Sequence, residues 1–369
     1  METPWYDVRK VEEIPSPALL IYPDRVEENI RRMIRLAGGV ARLRPHMKTN
    51  KLPEVIRMQM EQGITRFKCA TIAEAELVAA CHAPDVLLAY QPVGPNVQRL
   101  IQLIKTFPKT KFSAIADDAD TLRVLSQAAV DAGVTLHLLL DLDSGMHRCG
   151  VAPGPRAVEL YRLMATLPGL KPAGLHAYDG QIHDTDVAAR AAACEAAFAP
   201  VNALRQDLIT SGWPVPIVVA GGTPTFPMHA RRPDVECSPG TSVFWDLGYG
   251  TMLPDLDFLP AVLVLTRVVS KPGTDRLCLD LGHKAVASEG PHPRVQLLGL
   301  AEARTVGHNE EHLIVETSRA GEFPVGACFY GIPWHVCPTV ALHNEAVVIR
   351  NGRAEERWKV VGRARTISI

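Results

Sequence analysis

Six short stretches of this chain carry side chains whose type and spacing could do chemistry. In LRPHMKTNK (43–51) a single lysine, Lys48, follows Arg-Pro-His and precedes a polar turn. A lysine held among groups that disfavour its charge is nucleophilic at neutral pH, which Schiff-base formation with an aldehyde requires. In DLDSGMHRCGV (141–151) Arg148 stands in a glycine-flanked loop, where a fixed guanidinium can hydrogen-bond a phenolate oxygen. VVAGGTPTF (218–226) closes an apolar run with Gly221, Gly222 and Thr223, and SPGTS (238–242) adds a second small-residue turn with Gly240 and Thr241. Backbone amides of such turns can cradle a phosphate. GLHAYDG places His176 and Tyr178 two apart, and HVC does the same with His335 and Cys337. On a strand each pair shares one face, so the second could present an imidazole and a thiol to one borderline metal such as zinc.

Taken singly, each pattern has a plain structural explanation: a solvated surface lysine, a surface arginine, ordinary turns, a packed interior aromatic, or a core histidine beside a buried cysteine. What gives them weight is the frame that must position them. From Pro17 to about Phe244, short apolar runs alternate with longer helical ones. PALLIY (17–22), ARLRPH (41–46), FKCA (67–70), DVLLAY (85–90), KFSAIA (111–116), TLHLLLDLD (135–143), AGLHAYD (173–179) and PIVVAGG (216–222) read as strands, with a last short one near ECSPGTS (236–242). Helical periodicity fills the intervals. About eight parallel βα units, with no GxGxxG after the first strand, indicate a (β/α)8 TIM barrel. Reactive residues of such a barrel lie at the C-terminal strand ends, where Lys48, Arg148 and both glycine turns fall.

Beyond Leu253 the rhythm changes to period-two strands joined by turns such as KPGTD and RNGR. The expected division is a barrel over 16–248 followed by an all-β domain over 249–369, possibly joined by residues 1–15. There is no internal repeat and no low-complexity segment.

With 39 basic against 40 acidic residues and a net charge of −1, the chain offers no basic stripe for nucleic acid and no polybasic membrane anchor. A small-molecule partner is expected. The eight cysteines are scattered without a CxxC pair, and the first twenty residues form neither a signal peptide nor a spanning helix. Reduced thiols and a cytoplasmic location are the corresponding expectations.

PHMKTNK, TIAEAE (71–76), LLAY (87–90), DSGMHRCGV, GLHAYDG, AGGTPT, SPGTSVFWD and GIPWHVCPTVALHNE run in this order from about Pro15 to the C-terminus. Together they resemble the D-threonine aldolase and D-serine dehydratase family, pyridoxal 5′-phosphate (PLP) enzymes of the alanine-racemase-like fold. The resemblance implies that Lys48 forms the Schiff base with PLP and that Arg148 contacts its phenolate oxygen. Gly221, Gly222, Thr223, Gly240 and Thr241 would bind its phosphate, and one of His176 and Tyr178 would approach the pyridine ring. His335 and Cys337 would hold a divalent ion, zinc or manganese. A homodimer is implied, in which the β domain completes the partner's site.

The substrate class implied is a D-3-hydroxy amino acid, whose β-hydroxyl a metal can bind. Retro-aldol cleavage to glycine and an aldehyde needs a base for the hydroxyl proton, a role for His335. Elimination of water, the dehydratase route, needs a base for the α-proton, a role for Lys48. Cys337 resembles the dehydratase members, whereas HAYDG is closer to aldolase-like ones, and the aldolase is the preferred reading. A racemase would need a second base facing Lys48, for which only Tyr330 offers itself. GHNEEH (307–312) is a further polar cluster in which His312 receives no role.

Overall fold

The computed structural model describes residues 4–369. The first strand, β1 (Ala18–Ile21), is followed by β2 (Arg66–Cys69), β3 (Asp85–Leu88), β4 (Lys111–Ala116), β5 (Leu136–Asp143), β6 (Leu170–Tyr178), β7 (Ile217–Ala220) and β8 (Val235–Cys237). Strands β2 to β8 pair in chain order, each parallel to the next, as right-handed βα crossovers dictate. Local signals fix the helices between them. Thr71, for example, caps Ile72–Ala80 by accepting from the Glu74 amide.

The gap between β8 and β2 is filled by the segment that leads to Lys48. Leu43 bridges Cys237 and His46 bridges Lys68, both in parallel. The Arg44 amide donates to Cys237 O, the His46 amide to Pro239 O and the Met47 amide to Lys68 O. The sheet thereby closes on itself into a barrel. The sequence predicts a strand over 41–46. A 3-10 turn at Val40–Arg42 followed by isolated bridges stands there instead, because Pro45 has no N–H to continue a ladder.

Alternate barrel residues point inward. At the N-terminal mouth the buried Arg44 pairs with Asp85 and Glu236, each at 2.6 Å. Above it Leu87, Ile115, Leu139, Ala173 and Val219 pack an apolar layer. Toward the C-terminal mouth the interior turns polar again, with Asp141 aligned against His176 in the β5–β6 register. A buried polar layer is costly unless each group finds a partner, so its presence above an apolar floor marks the site.

The remaining strands are β9 (Val262–Ser270), β10 (Arg276–Leu279), β11 (Val295–Leu297), β12 (Arg304–His308), β13 (Leu313–Glu316), β14 (Cys328–Pro333), β15 (Glu345–Arg350) and β16 (Arg353–Lys359). They form a second sheet in the order β12-β13-β10-β9-β1-β15-β16, with β14 pairing both β9 and β11. PALLIY thus belongs to this sheet and not to the alternating run that follows it. β1 lies antiparallel to β9 and parallel to β15, and Leu19, Leu20 and Ile21 are sealed from solvent. Burial of side chains of this size stabilises by roughly 1.5–3 kcal/mol each. The hairpin β15–β16 turns at Asn351-Gly352, both at positive φ, as the RNGR signal requires.

Two compact units result. One comprises Arg31–Lys48, Ile56–Gly240 and Ala364–Ile369, and the other the chain up to Ile30, Thr49–Val55 and Thr241–Arg363. No helix among the described residues is long and apolar enough to cross a membrane.

Candidate active site

In the barrel unit the ring of Tyr178, the last residue of β6, is the centre about which cations gather. Arg148 Cζ lies 5.0 Å from the ring centroid, Lys68 Nζ 5.7 Å and Lys48 Nζ 5.9 Å. The ring's negative face suits such neighbours. Lys48 follows the closing segment, where its amide donates to His46 Nδ1 at 3.2 Å. The loop of Arg148 is pinned by Asp143, whose Oδ1 accepts from the Gly145 and His147 amides at 2.9 and 3.0 Å. Lys48, Arg148 and Tyr178, proposed from sequence, are therefore brought together.

His176 points into the barrel and is engaged from both sides. Its Nδ1 lies 2.7 Å from Asp141 Oδ1 and its Nε2 3.4 Å from Lys68 Nζ. Burial holds the His176 imidazole below its usual value. Lys68, fully enclosed, is pushed down to about 7, first by burial and then by the charge of Lys48. Neither Lys68 nor Asp141 figures in the sequence reading. The available signal was a lysine in the middle of FKCA, a run otherwise fit for a buried strand.

The two glycine turns form a tight cradle. Gly221 has φ +76°, and a Cβ on it would stand 2.6 Å from His229 Cδ2; a Cβ on Gly222 would stand 3.0 Å from Tyr178 Cε2. The Gly240 amide donates to Thr223 Oγ1 at 3.2 Å, joining the turns. The Ser238 hydroxyl is buried beside them without a hydrogen-bond partner among the described residues. An orphaned hydroxyl and space too narrow for any Cβ fit an oxyanion such as the PLP phosphate.

Behind the cradle stands a network the sequence did not reveal. Thr225 Oγ1 donates to Asp179 Oδ1 at 2.8 Å, and Asp179 Oδ2 lies 2.8 Å from His229 Nε2. Asp179, Cys194 and His229 are close enough for a shared metal ion. Arg232, however, can only donate to His229 Nδ1, at 3.1 Å, so Nε2 carries the proton given to Asp179. Burial lifts the Cys194 thiol to about 11 and keeps it neutral. These groups are satisfied by their own hydrogen bonds and brace the Gly221-Gly222 turn.

In the other unit the HVC segment is not a strand. His335 occupies the N-cap position of the helix Val336–Leu342 without a side-chain capping bond, and Pro338 lies in the first turn, where a missing N–H costs nothing. His335 Nδ1 lies 2.5 Å from Glu289 Oε1. Cys337 Sγ lies 3.1 Å from Thr49 Oγ1 and 3.7 Å from Thr241 Oγ1, so Thr241 stands beside the thiol. Burial opposes the imidazolium of His335, but the hydrogen bond and charge of Cys337, aided by Asp246 and Glu289, lift it to about 9. An imidazole and a thiol two positions apart at one helix start are donors of the kind that suit a divalent ion. The Tyr330 hydroxyl accepts from the Val8 amide at 3.1 Å within an apolar core cluster. Of GHNEEH, His308 packs against His283 with ring centroids 4.5 Å apart, and Arg294 donates to both.

Residues 21–247 match the alanine racemase N-terminal domain, and 261–349 match the putative serine dehydratase domain. The chain belongs to the alanine racemase N-terminal domain family, fused to a dehydratase-type β domain. It is 32% identical to the D-threonine aldolase of Arthrobacter sp. over 95% of this chain and 93% of that protein. It is 29% identical to the 3-hydroxy-D-aspartate aldolase of Paracoccus denitrificans over 96% of this chain and 93% of that one. The crystal structure of D-threonine aldolase from Filomicrobium marinum superposes with a TM-score of 0.89 at 28% identity, covering 98% of this chain and 99% of the other. The fold is also that of the D-threo-3-hydroxyaspartate dehydratase of Delftia sp. HT23, at 24% identity and a TM-score of 0.84, covering 94% of this chain and 97% of that one.

Proposed function

We propose that this protein is a PLP- and metal-dependent lyase that cleaves D-3-hydroxy amino acids, converting a D-threonine-like substrate to glycine and an aldehyde. The observation that carries the reading is the convergence of Lys48, Arg148 and Tyr178 at the barrel mouth that also holds the Gly221-Gly222 cradle. PLP bound there supplies an aldehyde for an amine and an electron sink for the bond to be broken. Lys48 is the amine that anchors it. Arg148 would neutralise the phenolate, and the turns of Gly221, Gly222, Thr223 and Gly240, with the buried Ser238 hydroxyl beside them, would hold the phosphate. Thr241, placed against Cys337, would serve the phosphate through its backbone. Tyr178 would be the ring that meets the pyridine, since His176 is already engaged by Asp141 and Lys68.

His335 and Cys337 would hold the divalent ion, zinc or manganese, which supplies a Lewis acid for the substrate's β-hydroxyl. Glu289 orients the His335 ring through its contact with Nδ1. The protein is further proposed to be cytoplasmic and homodimeric, with no nucleic-acid or membrane partner.

One observation favours elimination instead. A D-threo-3-hydroxyaspartate dehydratase has been solved as a histidine variant and, two positions along, as a metal-free cysteine variant, the spacing of His335 and Cys337. Proton NMR of D-threonine with the PLP-loaded protein and zinc or manganese decides between them. Glycine with acetaldehyde establishes the aldolase and 2-oxobutanoate the dehydratase. An unfragmented threonine that exchanges its α-proton would revive the racemase, and no change with either D-threonine or 3-hydroxy-D-aspartate would overturn the lyase reading.

A further inference from the structure

Lys68 occupies the middle of a buried strand, where an apolar side chain would pack at less cost. Three observations surround it. Its Nζ lies 3.4 Å from His176 Nε2 and 5.7 Å from the centroid of the Tyr178 ring, and Lys48 Nζ lies 5.9 Å from the same centroid. The other charges acting on it are those of Asp141, Asp179 and Arg44.

The direction of the hydrogen bonds follows from what each group can do. An ionised Asp141 only accepts, so Nδ1 of His176 carries the proton between them. Nε2 is left with a lone pair facing Lys68, whose ammonium only donates. A proton on this line can reside on Nζ of Lys68. It can also pass to Nε2 of His176, where burial opposes the imidazolium and Asp141 favours it. Its passage breaks one N–H bond, forms another, and leaves the total charge unchanged.

We propose that Lys68 is a positioning residue that sets the charge beside Lys48, by gaining or losing a proton on a buried line to His176 and Asp141. The inference rests on the reading of this mouth as a PLP site. A charged Lys68 repels a second positive charge at Lys48, and a neutral one does not. Because burial and Lys48 bring Lys68 to about 7, both of its forms exist in the neutral range. The charge is present below that value and lost above it.

The test is the absorbance of the bound cofactor, titrated from roughly pH 5.5 to 9 in the PLP-loaded wild type, Lys68→Arg and Lys68→Gln. Arginine keeps the charge at every pH, whereas glutamine keeps a hydrogen bond to His176 without charge. The wild type is expected to show a transition near 7, mirrored by a limb in kcat/KM. Lys68→Arg should hold the low-pH spectrum throughout and Lys68→Gln the high-pH one, opposite displacements that lost packing would not produce. If one variant fails to fold by circular dichroism, the other still decides. A pH-independent wild-type spectrum, or variants that keep the wild-type transition, would overturn the inference while leaving PLP on Lys48. Failure of PLP to attach would overturn the reading beneath it and the inference with it.

Discussion

Asp141 and His176 face each other on neighbouring barrel strands, Oδ1 to Nδ1 at 2.7 Å, with both side chains buried. Asp141→Leu would leave the His176 N–H enclosed without an acceptor. The expected cost is about 1–3 kcal/mol, with a smaller loss for Asp141→Asn, which keeps an acceptor oxygen. Urea unfolding midpoints check this, and an unchanged midpoint for the leucine variant would contradict the pairing.

Lys48→Ala should abolish covalent attachment of PLP. Borohydride reduction followed by peptide mass spectrometry should place the pyridoxyl group on Lys48 in the wild type and nowhere in the variant. A labelled lysine elsewhere in the wild type would reassign the anchor.

His335→Ala, or treatment with a chelator, should remove turnover while the cofactor absorbance persists. Metal content by plasma mass spectrometry should fall with activity, and restoring zinc or manganese should rescue the chelated wild type but not the variant. Full activity without metal would exclude the assigned role.

Gly221→Ala places a methyl group against His229 at a φ of +76°, so it is strained twice over. A stability loss of about 1–3 kcal/mol is expected. PLP binding should weaken at least tenfold, because His229 and Thr225 are displaced from the cradle they brace. Equilibrium dialysis against PLP measures the second effect.

Acid should weaken the fold through His308. Burial, with the charges of His283, Arg294 and His292, lowers it from 6.5 to about 4. A histidine depressed in the folded state binds its proton more readily in the unfolded one. Its contribution is intact above 6.5 and is lost as pH falls from there toward 4. Thermal unfolding of His308→Gln should fall less steeply over that window than the wild type.

What the sequence made legible depended on how local the physical cause was. Lone Lys48 and the glycine turns leave marks within a few residues, so they could be picked out directly, although the strand read before Lys48 is a 3-10 turn with isolated bridges. Asp179 and its partners Thr225 and His229 are 46 and 50 positions apart, and no local pattern announces such a pairing. Lys68 was hidden by a strand reading that was correct and passed over the charge inside it. HVC was misread as a strand although Pro338, permitted in a first helical turn, was the cue for a helix start. The partner of PALLIY could not be read at all, because the strand lies parallel to one more than three hundred residues later.

That last pairing has a consequence for how the molecule is made. β1 sits between β9 and β15, so during synthesis one of its edges waits unpaired until β9 has been made and the other until β15 follows, after all the barrel strands. The barrel strands β2 to β8 can meanwhile pair one after another as they appear. An apolar strand left waiting is a hazard for aggregation during synthesis. Separately expressed halves cut near residue 249 would divide the second sheet from its own central strand.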